Sequence, residues 1–305
     1  MAPSRPAYDT TRGVVEVRPL RFTDILDGSF AVFRAGLRPM VALVLAVMVP
    51  LQLVTAFVQR EALVLGVSGI LDDPTGAQIL LGEGGVTGAT VLSLVVQFVV
   101  TPVLAGALAH AAGQVASGRP ADLRRSTGVA VRRAGWLVGA AVGFLIARGL
   151  LLGFAVLAGV AGVAPLVAVF IVLGVIAAIG LTPLVAVVTP AVVLEDGSGA
   201  DAIRHGITLA RRAYWRTAGV VVGTSFVFNL IAVLLAGIPN AIGIIGGLGF
   251  AWVLIAAANV LSQLIVVPLT AAAMVLLHSD LRIRQEGHDF DVILDQMRAA
   301  AGARP

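Results

Sequence analysis

Polar residues inside long apolar stretches are the first candidates for chemistry in this sequence. Arg148 lies near the middle of a predicted membrane span, where an unpaired charge is costly. No acidic residue lies at a similar depth, so its partners would be amide oxygens or backbone carbonyls freed by prolines. The alternatives are an arginine at a thinned edge of the membrane and a third span displaced toward one surface. We therefore predict one intramembrane polar site, composed of Arg148, Gln97, Asn229 and Gln263.

The histidines form a second candidate site. His110 and His278 lie near the same predicted ends of their spans, and Asp280 is close to the latter. They could bind a metal ion or carry protons, although histidines at helix ends are more often ordinary polar residues. The sequence has no cysteine, no HExxH motif and no nucleophile elbow. These observations predict a protein that is not an enzyme, with no catalytic residues, metal site or cofactor.

The composition places these residues in a membrane protein. Of the 305 residues, 58% are hydrophobic and 12% are charged, about half the charged share of soluble domains. Six apolar stretches are long enough to span a bilayer, at about 38–59, 88–112, 136–158, 165–193, 217–237 and 251–278. We predict an all-α integral membrane protein with a membrane domain at 22–280. A disordered N-terminal tail at 1–21 and a cytoplasmic C-terminal tail at 281–305 would flank it.

Three degraded copies of one pattern organise the chain. Asp24, Asp122 and Asp201 are each followed ten residues later by an arginine, and then by a long apolar run. We interpret each copy as an interfacial helix followed by a membrane hairpin, which gives six transmembrane helices in three repeats. The second span of each copy contains a proline, which is either a static kink or a hinge: Pro102, Pro183 and Pro268.

Glycines at four-residue spacing recur in the third and fifth spans. Such spacing is typical of seams where two helix backbones approach closely. We therefore predict helix packing, and no ligand binding, at Gly135, Gly139, Gly143, Gly219 and Gly223.

The distribution of arginine predicts the orientation. All 21 basic residues are arginines, and 19 lie in the N-terminal segment, the 113–134 and 195–216 loops and the C-terminal tail. The positive-inside rule therefore predicts that both termini are cytoplasmic. The isoelectric point of about 10.8 follows from this arrangement and does not indicate nucleic-acid binding. Candidate contacts for anionic lipid headgroups are Arg124, Arg125, Arg132, Arg133, Arg211, Arg212 and Arg216.

The stretch ADAIRHGITLARRAYWRTAGV resembles the recurrent A-x-x-S-x-x-L-x-x-x-x-F-W-R segment of bacterial multi-pass proteins. RPLRFTDILDGSFAVFRAGLRPM and HSDLRIRQEGHDFDV are similar to the two ends of the actinobacterial members. This family is the membrane domain associated with glycerophosphoryl diester phosphodiesterases. Some of its members also carry a cytoplasmic phosphodiesterase barrel. The resemblance implies a multi-pass protein of the bacterial plasma membrane, without the barrel and its catalytic residues.

Two functional hypotheses follow. The first is a non-enzymatic scaffold or partner subunit in cell-envelope or lipid-linked processes, bound to a membrane protein partner or to copies of itself. The second is a transporter or lipid-handling protein whose midplane polar site surrounds Arg148.

Overall fold

The computed structural model describes residues 19–58, 88–160, 164–245 and 251–286, and all regular structure among them is helical. A π-helical turn at Val233–Gly237 joins the eighth and ninth helices. The ten helices are α1 (Phe22–Ala35), α2 (Leu37–Val58), α3 (Gly88–Ala116), α4 (Leu123–Arg132), α5 (Ala134–Val160), α6 (Ala164–Leu194), α7 (Gly199–Arg212), α8 (Tyr214–Ala232), α9 (Ile238–Ile245) and α10 (Ala251–Glu286).

Five of these helices are long and apolar enough to cross a membrane. The number is six if α4 and the start of α5, which meet at 59°, count as one bent span. The predicted all-helical fold class is confirmed, and the helices are consistent with a membrane protein. The largest difference from the predicted spans is at α10, which continues eight residues past 278 to Glu286. Residues 238–245, which lie between the predicted fifth and sixth spans, also form a helix.

The short polar helices α1, α4 and α7 each precede a long apolar helix after a break of one residue. They begin within two residues of Asp24, Asp122 and Asp201, where the sequence pattern placed them. Side-chain caps start two of them. The Asp122 carboxylate accepts from the Arg125 amide at 3.1 Å, and the Ser198 hydroxyl accepts from the Asp201 amide at 3.2 Å. These caps satisfy backbone amides that the first helical turn leaves without partners.

Burial along α3, α6 and α10 increases where each helix contains a proline. Apolar residues before Pro183 are exposed on α6, Ile179 to 60% of its surface, whereas Val187 and Ala191 after it are fully buried. On α10, nearly every residue from Leu269 to Leu281 is buried. Each helix therefore has one half with exposed apolar side chains, which favour an apolar environment, and one half that is packed in the protein core.

The buried halves meet the short helices at one end of the bundle. We call it the arginine-rich end, because α4 and α7 carry Arg124, Arg125, Arg132, Arg204, Arg211 and Arg212 there. The last part of α3 packs against α4, that of α6 against α7, and that of α10 against α1. The long helix α10 also contacts α2, α3, α6, α7, α8 and α9. It is therefore the central element around which the bundle is assembled.

Four of the five predicted seam glycines contact no other helix of the described chain. Within the described part of the chain, a Cβ added at Gly135, Gly139, Gly143 or Gly219 would meet no atom within 4 Å, so these glycines line no helix contact. Glycine spacing identifies a smooth helix face, but it does not say which neighbour covers that face. The close approach of α7 to α6 instead uses Gly206, whose added Cβ would lie 3.1 Å from the Ala191 Cβ and 3.3 Å from the Val187 carbonyl.

We expect Gly206→Leu to destabilise the protein by about 3 kcal/mol, because the larger side chain must push α7 away from the α6 backbone. Gly219→Leu is the matched control, since the added side chain meets open space. Thermal unfolding of both variants in lipid nanodiscs measures the difference. Equal stabilities would show that the α6–α7 contact is not close-packed.

Candidate functional site

The buried carboxylate of Asp280 is the centre of the first polar cluster at the arginine-rich end. Its side chain is 0% exposed. Oδ2 accepts from Arg216 Nε at 3.0 Å and from Arg216 Nη2 at 2.8 Å, while Oδ1 accepts from Arg284 Nε at 2.9 Å. Oδ1 also accepts from the Leu20 backbone amide at 2.7 Å, and both guanidiniums donate to the Leu20 carbonyl. The cluster thus joins the segment before α1 to α8 and α10.

Glu195 forms the second polar cluster, just beyond the end of α6. One of its carboxylate oxygens pairs with His278 Nε2 at 2.8 Å and the other with His205 Nδ1 at 2.9 Å. The other ring nitrogen of His205 pairs with Glu286, which also accepts from Arg282 Nε at 3.0 Å. Because His205 lies on α7 and His278 on α10, this cluster joins α6, α7 and α10.

Protonation of the Glu195 cluster follows from its geometry. Burial raises the pKa of Glu195, but the hydrogen bonds from His278 and His205 outweigh it and hold the pKa below its ordinary value. Burial lowers the pKa of His205, but the hydrogen bonds to Glu195 and Glu286 outweigh it and raise the pKa above its ordinary value. Both ring nitrogens of His205 face carboxylates, and only the imidazolium form donates from both.

The two histidines expected to meet have different partners instead. His278 pairs with Glu195, whereas His110 Nδ1 lies 3.1 Å from the Ser126 hydroxyl. In the described ranges, no group of three or more acidic, histidine or cysteine side chains could hold a metal ion. The carboxylates of both clusters are already engaged by cations of the chain itself. The two clusters therefore hold helices together through charge-assisted hydrogen bonds.

The arginines predicted to contact lipids fall into two groups. Arg216 is bound to Asp280, and Arg133 Nη2 lies 3.4 Å from the Glu195 backbone carbonyl, so both are partly occupied within the protein. The remaining five are exposed on α4 and α7, at Arg124, Arg125, Arg132, Arg211 and Arg212. Contact with anionic headgroups stays a prediction for this exposed group.

The predicted intramembrane polar site is only partly described. The side chain of Arg148 lies outside the described part of the structure, although its backbone belongs to α5. Gln97 and Gln263 are half-buried on α3 and α10. Asn229 is exposed on α8, and its amide donates to the Ser225 carbonyl of the same helix at 2.9 Å. No hydrogen bond between these three amides is found among the described side chains, and the site stays a prediction.

A partly open cavity of about 370 Å³ lies between α3, α5, α6, α8 and α10. It adjoins the prolines at which burial increases, since Thr182 and Val267 of its wall directly precede Pro183 and Pro268. The residues that line it are apolar apart from four hydroxyls, those of Thr182, Thr189, Ser225 and Thr270. An apolar cavity between helices is suited to an apolar ligand.

Comparison with protein-family models, with curated proteins and with solved structures finds no match.

We expect Asp280→Asn to lower the free energy of unfolding by about 3 kcal/mol, because removing one partner of a buried ion pair leaves the other charges uncompensated. Asp196→Asn removes an exposed carboxylate near Glu195 and should change stability by less than about 0.5 kcal/mol. Chemical unfolding in detergent micelles measures both. A loss in Asp280→Asn no larger than in the control would contradict the role given to Asp280.

We also expect stability to depend on pH through the Glu195 cluster. The raised pKa of His205 means that its contribution is complete below pH 6.5 and is lost as pH rises through the raised value. The lowered pKa of Glu195 means that its contribution is complete above pH 4.5 and is lost as pH falls through the lowered value. We therefore expect melting temperatures, measured between about pH 4 and pH 9, to be highest between pH 4.5 and pH 6.5.

His205→Gln should remove most of the decline on the alkaline side, because glutamine does not titrate. Asp196→Asn should retain it. An unchanged alkaline decline in His205→Gln would contradict the role given to His205.

Proposed function

We propose that the protein is a non-enzymatic multi-pass membrane protein that acts as a scaffold or partner subunit in cell-envelope or lipid-linked processes. One observation carries this proposal. The carboxylates of Asp280 and Glu195 at the arginine-rich end are used in ion pairs that join four helices and the segment before α1. Acidic groups used in this way support a structural role, in which a rigid end presents a fixed surface.

The exposed arginines support a location at an anionic membrane surface. Five arginines on α4 and α7 are exposed, and each can contribute about 1 kcal/mol near anionic headgroups. Trp215 at the start of α8 is 85% exposed, as is common for tryptophan at a membrane interface. We accordingly place the arginine-rich end and both termini on the cytoplasmic side of a bacterial plasma membrane.

The outward-facing glycines of α5 support association with another helix. Gly135, Gly139 and Gly143 leave room on a surface that no described residue covers. Small residues at this spacing let a second membrane helix approach closely. The occupant we favour is a helix of a partner protein or of a second copy.

The repeat and the family resemblance belong to the same proposal. The three pairs of a short helix and a long one, each with a one-residue break, support an origin by triplication. The packing of α10 against α1 brings the first and third units together. Membership in the membrane-domain family associated with glycerophosphoryl diester phosphodiesterases is proposed on the sequence segments alone.

The second candidate function is lipid handling. The observation that favours it is the cavity of about 370 Å³ between five helices. A transport path through Arg148 would be a different arrangement and is supported only by the position of that residue in the sequence.

Capture of the tagged protein from native membranes in mild detergent, followed by native mass spectrometry, tests the scaffold role. We expect a partner protein or a homo-oligomer to be retained. Gly139→Leu should reduce its recovery by about tenfold if about 1.4 kcal/mol of helix association is lost.

Gly149→Leu provides the control, because that glycine is also open but lies ten residues from Gly139, about 15 Å further along α5 and about 80° around the helix. Recovery of a stable monomer without partners from both native membranes and mild detergent would refute the scaffold role.

A further inference from the structure

We propose that the cavity between α3, α5, α6, α8 and α10 binds one acyl chain of an anionic phospholipid. The proposal rests on the lipid-handling candidate and names its ligand. The cavity lies beside helix halves whose outer faces are apolar and exposed, so lipid chains are the molecules at hand. Its volume of about 370 Å³ is near the lower end of the usual range for small-molecule sites, about 300–1,000 Å³. That volume suits a single chain and excludes a whole lipid.

The wall selects an apolar occupant. A water molecule in a protein cavity needs two to four polar partners, and apolar cavities stay dry. The hydroxyls of this wall are few, and Thr270 Oγ1 already donates to the Val266 carbonyl at 2.8 Å. Most of the wall is formed by side chains such as Val185, Ala186 and Met274. These side chains offer dispersion contacts, which an acyl chain can use and a polar solute cannot.

Two features of the surroundings fit a lipid as the source of the chain. The exposed side chain of Ile179 lies one helical turn from Thr182 of the wall, so the lipid-facing surface of α6 leads to the cavity. Trp215 at the start of α8 is exposed, as are Arg211 and Arg212 at the end of α7. Trp215 is six residues from Val221 of the wall, or about 9 Å along the helix. A phospholipid whose chain enters the cavity can therefore keep its phosphate beside arginine.

Photolabelling of the whole protein in nanodiscs tests the assignment. The probe is phosphatidylglycerol with a diazirine in one acyl chain, and adducts are mapped by mass spectrometry after digestion. We expect adducts on the wall residues of α6 and α10, between 182–190 and 266–274. Adducts confined to the outer faces of the helices, with none on the wall of the wild-type protein, would overturn the proposal whatever any variant does.

Ala186→Leu should lower labelling of the wall by at least about fivefold, because the added atoms occupy the space of the chain at a cost of about 1 kcal/mol or more. Ala168→Leu is the same change on the exposed face of α6 and should leave labelling of the wall unchanged. Equal labelling of the wall in wild type and in folded Ala186→Leu would also overturn the proposal.

A cysteine probe distinguishes a chain site from a water-filled path. The sequence contains no cysteine, so Ser225→Cys introduces a single thiol into the wall. We expect slow reaction of this thiol with a charged, water-soluble maleimide in nanodiscs. Ser117→Cys, at an exposed position after α3, should react fast. Fast reaction of Ser225→Cys would show that water fills the cavity and would overturn the proposal. Capture of a partner protein does not depend on the cavity, so the scaffold role and the chain site can fail separately.

Discussion

The arginine-rich end of the bundle depends on the pairing of one buried carboxylate. Asp280 is fully enclosed, and an isolated charge in such a place would be too costly to keep. Two guanidiniums and one backbone amide surround it, and the same guanidiniums hold the Leu20 carbonyl. Arg216 and Arg284 are 31% and 36% exposed, so water also solvates their charges, whereas Asp280 depends on these partners. Removing either guanidinium therefore leaves the enclosed carboxylate with less compensation.

The Asp280 cluster lies in the part of the bundle where the helices are closely packed, and the rest of the bundle exposes apolar side chains. Before their prolines, α3 and α6 expose apolar side chains as lipid-facing helices do. Beyond the prolines, α3, α6 and α10 pack with α1, α4 and α7 into a core like that of a soluble helical protein. The cavity lies at this junction, where the helices that contain the prolines leave space between them. The two halves thus offer two different surfaces, one of exposed apolar side chains and one that carries exposed arginines.

The sequence predicts the parts of this structure that depend on local patterns. Apolar runs indicate the long helices, and the aspartate–arginine spacing locates the starts of α1, α4 and α7, because these signals lie within a few turns of one helix. The spacing of the α5 glycines indicates a smooth helix face, but it contains no information about which helix covers that face. The pairing of Arg216 with Asp280 was missed because it joins residues 64 apart in the chain. A local signal was available, since Asp280 and Arg284 are four residues apart and such pairs extend a helix beyond its apolar run.

The contact between Leu20 and Asp280 affects how the protein folds during its synthesis. The two residues are separated by 260 positions, which a ribosome takes roughly 13–52 s to translate at about 5–20 residues per second. During that interval α1, α2 and α3 have already been made, while the carboxylate that will hold the segment before α1 has not. The early helices must therefore wait in an incomplete bundle, and α10 completes it only after the other helices of the described chain have been made.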